Sequence, residues 1–105
     1  MNRRRSTRVL LKVPLMLRGL DINGESYTAR AETIMVSRHG ARLSIDRELV
    51  KGSDVSVTVP KTGRTQKARV VLAWENSPGV HECAIELASP ENLWGVIFPP
   101  NDWIA

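Results

Sequence analysis

Short runs in which apolar and polar residues alternate, each bounded by glycine, proline or asparagine, recur along the chain. The clearest is Val55-Ser56-Val57-Thr58-Val59, which ends at Pro60. Alternation with a period of two places every second side chain on one face, as in a strand buried on one side. A chain built from such runs, with no long stretch of helical periodicity, is constrained to an all-β fold.

The first predicted strand has its apolar residues at odd positions from Val9 to Leu17. Pro14 interrupts it and cannot donate a ladder hydrogen bond, which indicates a sheet edge or a bulge at that point. Asn23-Gly24 then predicts a tight hairpin. The other predicted strands cover residues 27–36, 41–45, 55–59, a long stretch ending near Trp74, and 80–87.

After the last strand, Ser89-Pro90-Glu91 combines an N-cap residue with a proline at the first helical position, and predicts one short helical turn. Six closely spaced strands without a long helix predict a small antiparallel barrel or sandwich. A chain of 105 residues forms one domain of this kind.

The single cysteine, Cys83, rules out an internal disulfide, and with only two histidines we expect no metal site and no resident cofactor. Cys83 lies in an alternating stretch, which indicates a buried structural thiol. Apolar runs are far too short for a membrane span, and no signal peptide is evident, so we expect a cytoplasmic location and no membrane partner.

The net charge of +4 is concentrated at one end of the chain. Arg3, Arg4, Arg5 and Arg8 lie within the first eight residues, and the remaining basic residues are balanced by the 11 acidic ones. We therefore divide the chain into a basic arm, residues 1–8, and a neutral barrel domain, residues 9–105. Such an arm favours anionic ligands.

Two sequence motifs narrow the function. Arg4 and Arg8 form R-x-x-x-R directly before the first strand, and Ser37-Arg38-His39-Gly40 forms Ser-x-x-Gly after the second. Together they resemble the PilZ family, whose pattern is R-x-x-x-R followed by Asp or Asn, any residue, and Ser-x-x-Gly. The segment Leu93–Pro100 also resembles the end of some single-domain members, so the resemblance covers nearly the whole chain.

The resemblance implies a six-stranded barrel with the arm across one end, and the bacterial second messenger cyclic di-GMP as ligand. It implies that Arg4 and Arg8 hold phosphate and guanine, that Ser37 hydrogen-bonds nearby, and that Gly40 allows a close backbone approach or a positive φ. Arginine suits these roles because its planar donors match phosphate oxygens and the guanine edge.

One position departs from the family pattern, because Met35 stands where the family has Asp or Asn. A thioether cannot replace a polar contact to guanine, so we expect weakened binding at this position. Weaker candidates for ligand contact flank the main ones: Arg3, Arg5, Met35, Arg38 and His39. Arg42, on the next strand, is a further supporting candidate.

Three tryptophans could stack on bases, but in a small barrel Trp74 and Trp94 are predicted to lie in the core, and Trp103 is left open. We predict no enzyme. A triad of Ser37, His39 and Asp46 would need an unusual turn, because Ser37 and His39 are only two residues apart. No third group or oxyanion donor is indicated beside His81 and Cys83.

The predicted function is cyclic di-GMP binding with relay of the signal to a protein partner. One alternative is a degenerate PilZ-like interaction module without ligand, which Met35 keeps open. The other is a small nucleic-acid-binding barrel. The neutral body and the lack of an exposed aromatic stripe disfavour nucleic acid.

Overall fold

The computed structural model describes residues 6–103, which form seven β-strands and one 3-10 turn. The strands are β1 (Val9–Leu10), β2 (Pro14–Leu20), β3 (Ser26–Val36), β4 (Gly40–Ile45), β5 (Asp54–Val59), β6 (Arg64–Ser77) and β7 (Val80–Leu87); the 3-10 turn is Asn101–Trp103.

Antiparallel pairing closes these strands into a barrel. The neighbours run β3-β2-β5-β6-β7-β4, and β4 pairs in turn with β3, so the six long strands leave no open edge between them. β1 is an extra two-residue strand that pairs with the end of β3. The predicted six-stranded antiparallel barrel is confirmed, and closure decides between the barrel and the sandwich.

The core fills the barrel interior with the alternating apolar residues that the sequence singled out. Burial of these side chains is the main force that holds the barrel together, at roughly 25 cal/mol per Å2 of apolar surface. The apolar residues with no exposed surface are Leu17, Leu43, Val57, Val59, Val70, Cys83, Leu93 and Trp94.

The predicted first strand is broken, because the ladder stops at Leu10 and resumes at Pro14. The buried hydroxyl of Thr33 bridges the gap: it accepts a hydrogen bond from the Val13 N–H at 2.7 Å and donates one to the Leu11 carbonyl at 2.5 Å. β5 pairs with β2 only from Met16 onward, so Pro14 lies at a local edge, as predicted.

The long strand β6 departs from the prediction that Ala68, Val70, Leu72 and Trp74 share the inner face. Its register against β7 shifts between Val70 and Leu72. Such an irregularity reverses the alternation beyond it. Leu72 is therefore 52% exposed, and Trp74 lies half-buried on the outer face, so its prediction as a core residue was wrong.

No helical turn follows Ser89, in contrast to the prediction from Ser89-Pro90-Glu91. The backbone there is bonded to neighbouring segments, since Ser89 N donates to the Gln66 side chain and Glu91 N to the Arg38 carbonyl. These bonds tie residues 89 and 91 to β6 and to the connection between β3 and β4, and the segment has no regular structure. The one helical turn among residues 6–103 is the 3-10 turn, Asn101–Trp103.

Candidate functional site

The connection between β3 and β4 and the segment before β1 border a depression of about 260 Å3 at one side of the barrel. Its lining includes six of the residues singled out from the sequence: Arg8, Met35, Ser37, His39, Gly40 and Arg42. Both sequence motifs therefore contribute to one concave surface. Arg3, Arg4 and Arg5 lie outside the described residues.

Strand register brings the two motifs together. In the short β1–β3 ladder, Val9 is opposite Val36 and Leu10 is opposite Met35. Continuing this antiparallel register by one residue places Arg8 opposite Ser37. The side chain of Arg8 is exposed and makes no hydrogen bond or ion pair within residues 6–103.

Hydrogen bonds within the turn at residues 37–40, and from neighbouring segments of the barrel, hold this turn in place. Ser37 N donates to the Gly40 carbonyl at 2.8 Å, and the Ser37 Oγ accepts a bond from His39 N at 3.2 Å, which leaves the hydroxyl proton able to donate. The fully buried Trp94 donates its Nε1–H to the Ser37 carbonyl at 2.8 Å. Further backbone bonds from Leu87 to the His39 carbonyl and from Glu91 to the Arg38 carbonyl hold the turn to the barrel.

The prediction that Trp94 is a core residue is confirmed. Its indole also supports the turn through the hydrogen bond to Ser37. Trp103, which the sequence left open, is 6% exposed and lies under the segment before β1.

The position of Gly40 has no room for a side chain. A Cβ added at this position would lie 2.1 Å from the carbonyl oxygen of Ile85 on β7, far inside van der Waals contact. Its φ is not in the positive region. The structure thus requires a glycine here because β4 approaches β7 closely, and the positive φ that the sequence left open does not occur.

Met35 lies at the rim of the depression and outside the buried core. Its neighbours Thr33 and Val36 point inward, with 1% exposure each, and a register shift against β4 falls between Thr33 and Met35. Met35 itself is only half-buried. A longer or more polar side chain at this position would therefore face the depression and would not disturb the core.

A polar cluster that the sequence did not predict lies on the outer face of β4, β7 and β6. Glu82, only 6% exposed, accepts hydrogen bonds from Arg42, from the Trp74 indole at 3.1 Å and from Asn76 at 3.1 Å. The Arg42 guanidinium pairs with Glu82 at 2.9 Å and lies 5.6 Å from the Trp74 ring centroid. Arg42 also lines the depression, so Glu82 holds one wall of the site in place.

A larger concavity, of about 890 Å3, lies elsewhere and is lined by residues of β2, β3, β5, β6 and β7, among them Arg18, Ser56 and Lys67. The acidic Asp54 and Glu86 are also in its lining, so its charge is mixed. None of the motif residues between positions 6 and 103 contributes to it. The smaller depression is the candidate site because Arg8 and the hydrogen-bonded turn at residues 37–40 meet there.

Cys83 is fully buried, as the sequence indicated, and burial raises the pKa of its thiol to about 12. At neutral pH the thiol is therefore protonated and is a poor nucleophile. Within residues 6–103 there is also no cluster of three or more potential metal ligands. The same residues include no helix long and apolar enough to cross a membrane.

The raised pKa of Cys83 predicts that the barrel loses stability in alkaline solution. Above pH 9, the ordinary thiol pKa, the unfolded chain releases this proton while the folded chain keeps it until about pH 12. The folded state then binds more protons, so the free energy of unfolding falls as the pH rises, by up to about 1.4 kcal/mol per pH unit.

Urea unfolding of the wild type and of Cys83→Ala between pH 7 and 10.5 measures this effect. The variant lacks the titrating group and retains every other ionisable residue, so its stability should fall less steeply above pH 9. Parallel curves for the two proteins would contradict the prediction.

Comparison with known proteins identifies the family of this chain. The PilZ domain family model matches residues 2–93. None of the curated proteins matches the chain. Among solved structures, the PilZ domain with c-di-GMP of YcgR from Escherichia coli matches with a TM-score of 0.60 and 14% identity, over 83% of this chain and 79% of that one.

A structure of YcgR in complex with c-di-GMP, from the same organism, matches with a TM-score of 0.57 and 16% identity. The match covers 83% of this chain but only 38% of that longer one. At these identities the structural matches show a shared fold, whereas the family model spans most of the sequence. The chain therefore belongs to the PilZ domain family.

Proposed function

We propose that this protein binds cyclic di-GMP in the cytoplasm through Arg4, Arg8 and the turn at Ser37–Gly40, and passes the signal to a protein partner. The observation that carries the proposal is the meeting of Arg8 and the Ser37 turn around one depression. The solved YcgR structures, whose titles name c-di-GMP, support the choice of ligand.

The chemistry of the depression suits part of a cyclic dinucleotide. An unpaired guanidinium offers bidentate hydrogen bonds to a phosphate or to the O6/N7 edge of guanine. Ser37 adds a hydroxyl donor beside it. The volume of about 260 Å3 lies below the roughly 300–1,000 Å3 of typical small-molecule sites. In this proposal the remaining ligand surface is covered by the arginines of the arm.

The second candidate function is a protein-interaction module that has lost its ligand, and Met35 is the residue that favours it. A thioether stands at the rim of the depression, in the family's Asp or Asn position. It leaves the polar edge of a guanine without that partner, which weakens binding by about 1–3 kcal/mol.

Calorimetric titration of the protein with cyclic di-GMP, and separately with single-stranded DNA, tests the proposal. Saturable binding of cyclic di-GMP without DNA binding supports the proposed function. Binding of neither ligand would overturn it in favour of the interaction module, and binding of DNA alone would favour a nucleic-acid module.

Met35→Asn is expected to strengthen cyclic di-GMP binding by about 1 kcal/mol or more, because the amide supplies the missing polar contact. Stability should change little, since Met35 lies outside the core. Calorimetry and thermal unfolding measure the two effects on the same sample. A lower melting temperature without a gain in affinity would mean that Met35 serves the packing of the barrel.

A further inference from the structure

The C-terminal 3-10 turn, Asn101–Trp103, is bonded to Thr7, the residue directly before Arg8 in the R-x-x-x-R motif. Thr7 donates both its backbone N–H and its hydroxyl to Oδ2 of Asp102, each at 2.8 Å. Trp103 donates its Nε1–H to the Thr7 carbonyl at 2.7 Å. Every polar group of Thr7 is thus engaged by two consecutive residues from the far end of the chain.

We propose that this turn is a clamp that fixes Thr7 and thereby orients the adjacent Arg8 toward the depression. Asp102 and Trp103 are then positioning residues for the anion site, and they act through Arg8 without touching the ligand. The inference rests on the proposed function and deepens it, because it assigns control of the site to the C-terminal turn.

The contacts on either side of Thr7 support this assignment. Ser6, 4% exposed, lies with its Oγ 3.1 Å from Nδ1 of His39, a residue of the depression wall. Arg8 also lines the depression. Thr7 thus contacts the 3-10 turn, whereas Ser6 contacts His39 and Arg8 lines the depression.

The clamp is anchored to the body of the protein by burial. Trp103 is 6% exposed and belongs to the core cluster, and Trp103 N donates to the Pro100 carbonyl at 3.0 Å. Asp102 is exposed, so its removal leaves no cavity. The roles of the two residues can therefore be tested separately. Asp102 only bonds to Thr7, whereas Trp103 both bonds to Thr7 and packs in the core.

Arm fixation matters for affinity because a ligand that must order a loose segment loses part of its binding free energy in doing so. A clamped Arg8 avoids that loss. We expect Asp102→Ala to weaken cyclic di-GMP binding by about 3–10-fold, with little change in melting temperature. Trp103→Phe removes the Nε1 donor but retains an aromatic ring, and should weaken binding in the same direction.

The matched control is Asp46→Ala, which removes an exposed carboxylate directly after β4 and so changes the net charge equally. If net charge alone governed affinity, both alanine variants would bind more tightly than the wild type. The decisive comparison repeats Asp102→Ala in an Arg8→Ala background. Most of the effect should disappear there, and an equal loss of affinity in both backgrounds would overturn the proposal.

Amide hydrogen exchange at Thr7 and Arg8, measured without ligand, separates this proposal from the proposed function. The clamp predicts faster exchange at these two amides in Asp102→Ala and unchanged exchange in the core strands. Unchanged exchange at Thr7 would refute the clamp even if cyclic di-GMP binds. A wild type that fails to bind cyclic di-GMP would refute the proposed function, whatever the exchange rates show.

Discussion

Gly40→Ala is expected to lower the free energy of unfolding by at least about 3 kcal/mol, at the upper end of what overpacking substitutions cause. The added methyl group would lie 2.1 Å from the Ile85 carbonyl oxygen. Backbone atoms of a neighbouring strand cannot move aside without breaking the β4–β7 ladder, in which Gly40 is opposite Glu86. Urea unfolding of the two proteins measures the difference.

The control is Gly24→Ala in the β2–β3 hairpin. Gly24 has a φ of 79°, but nothing lies within 4 Å of an added Cβ. That variant therefore reports backbone strain alone, at about 1 kcal/mol. A loss at Gly40 no larger than at Gly24 would contradict the steric explanation.

The glycine of the Ser-x-x-Gly motif therefore has a structural task in this chain. It allows β4 to begin against β7 at a distance that no side chain permits. We expect any loss of ligand binding in Gly40→Ala to accompany the loss of folded protein. Affinity measured per folded molecule, at a temperature well below the melting transition, distinguishes a direct loss of ligand contact from a loss of folded protein.

Arg8→Ala is expected to weaken cyclic di-GMP binding by about 10–100-fold, which corresponds to roughly 1.5–3 kcal/mol for a charge-assisted hydrogen bond. Arg8 is exposed and unpaired within the described residues, so the melting temperature should remain nearly unchanged. Arg8→Lys should restore binding only in part, because an ammonium group lacks the planar pair of donors.

Arg30→Ala provides the matched control. It removes the same charge from an exposed position on β3 that does not line the depression. Calorimetry at two salt concentrations should show that only Arg8→Ala loses affinity beyond the general electrostatic change. Equal affinity of Arg8→Ala and the wild type would remove this arginine from the proposed site, and Arg4→Ala tests the other arginine in the same way.

Local pattern alone determined most of the strands and the residues inside them. Alternation from Val55 to Val59 predicted β5 and its buried face, and Asn23-Gly24 predicted the first hairpin. The buried states of Cys83 and Trp94 were also predicted correctly. These features depend on a few neighbouring residues and on the period of a pleated strand, which is why a single sequence contains them.

Part of the candidate site was predicted as well, because Arg8, Met35, Ser37, His39 and Gly40 all border one depression. The prediction came from the family motifs, and the β1–β3 register supplies the physical reason for their meeting.

Only the tertiary structure decided the features that depend on which strands become neighbours. The irregularity after Val70 turned Trp74 outward, and the partnership of β4, β7 and β6 placed Glu82 between Arg42 and Trp74. Contact between Thr7 and Asp102 joins the two ends of the chain. Sequence alone did not predict these contacts, because each joins side chains from different strands or segments, and the periodicity within one strand does not relate them.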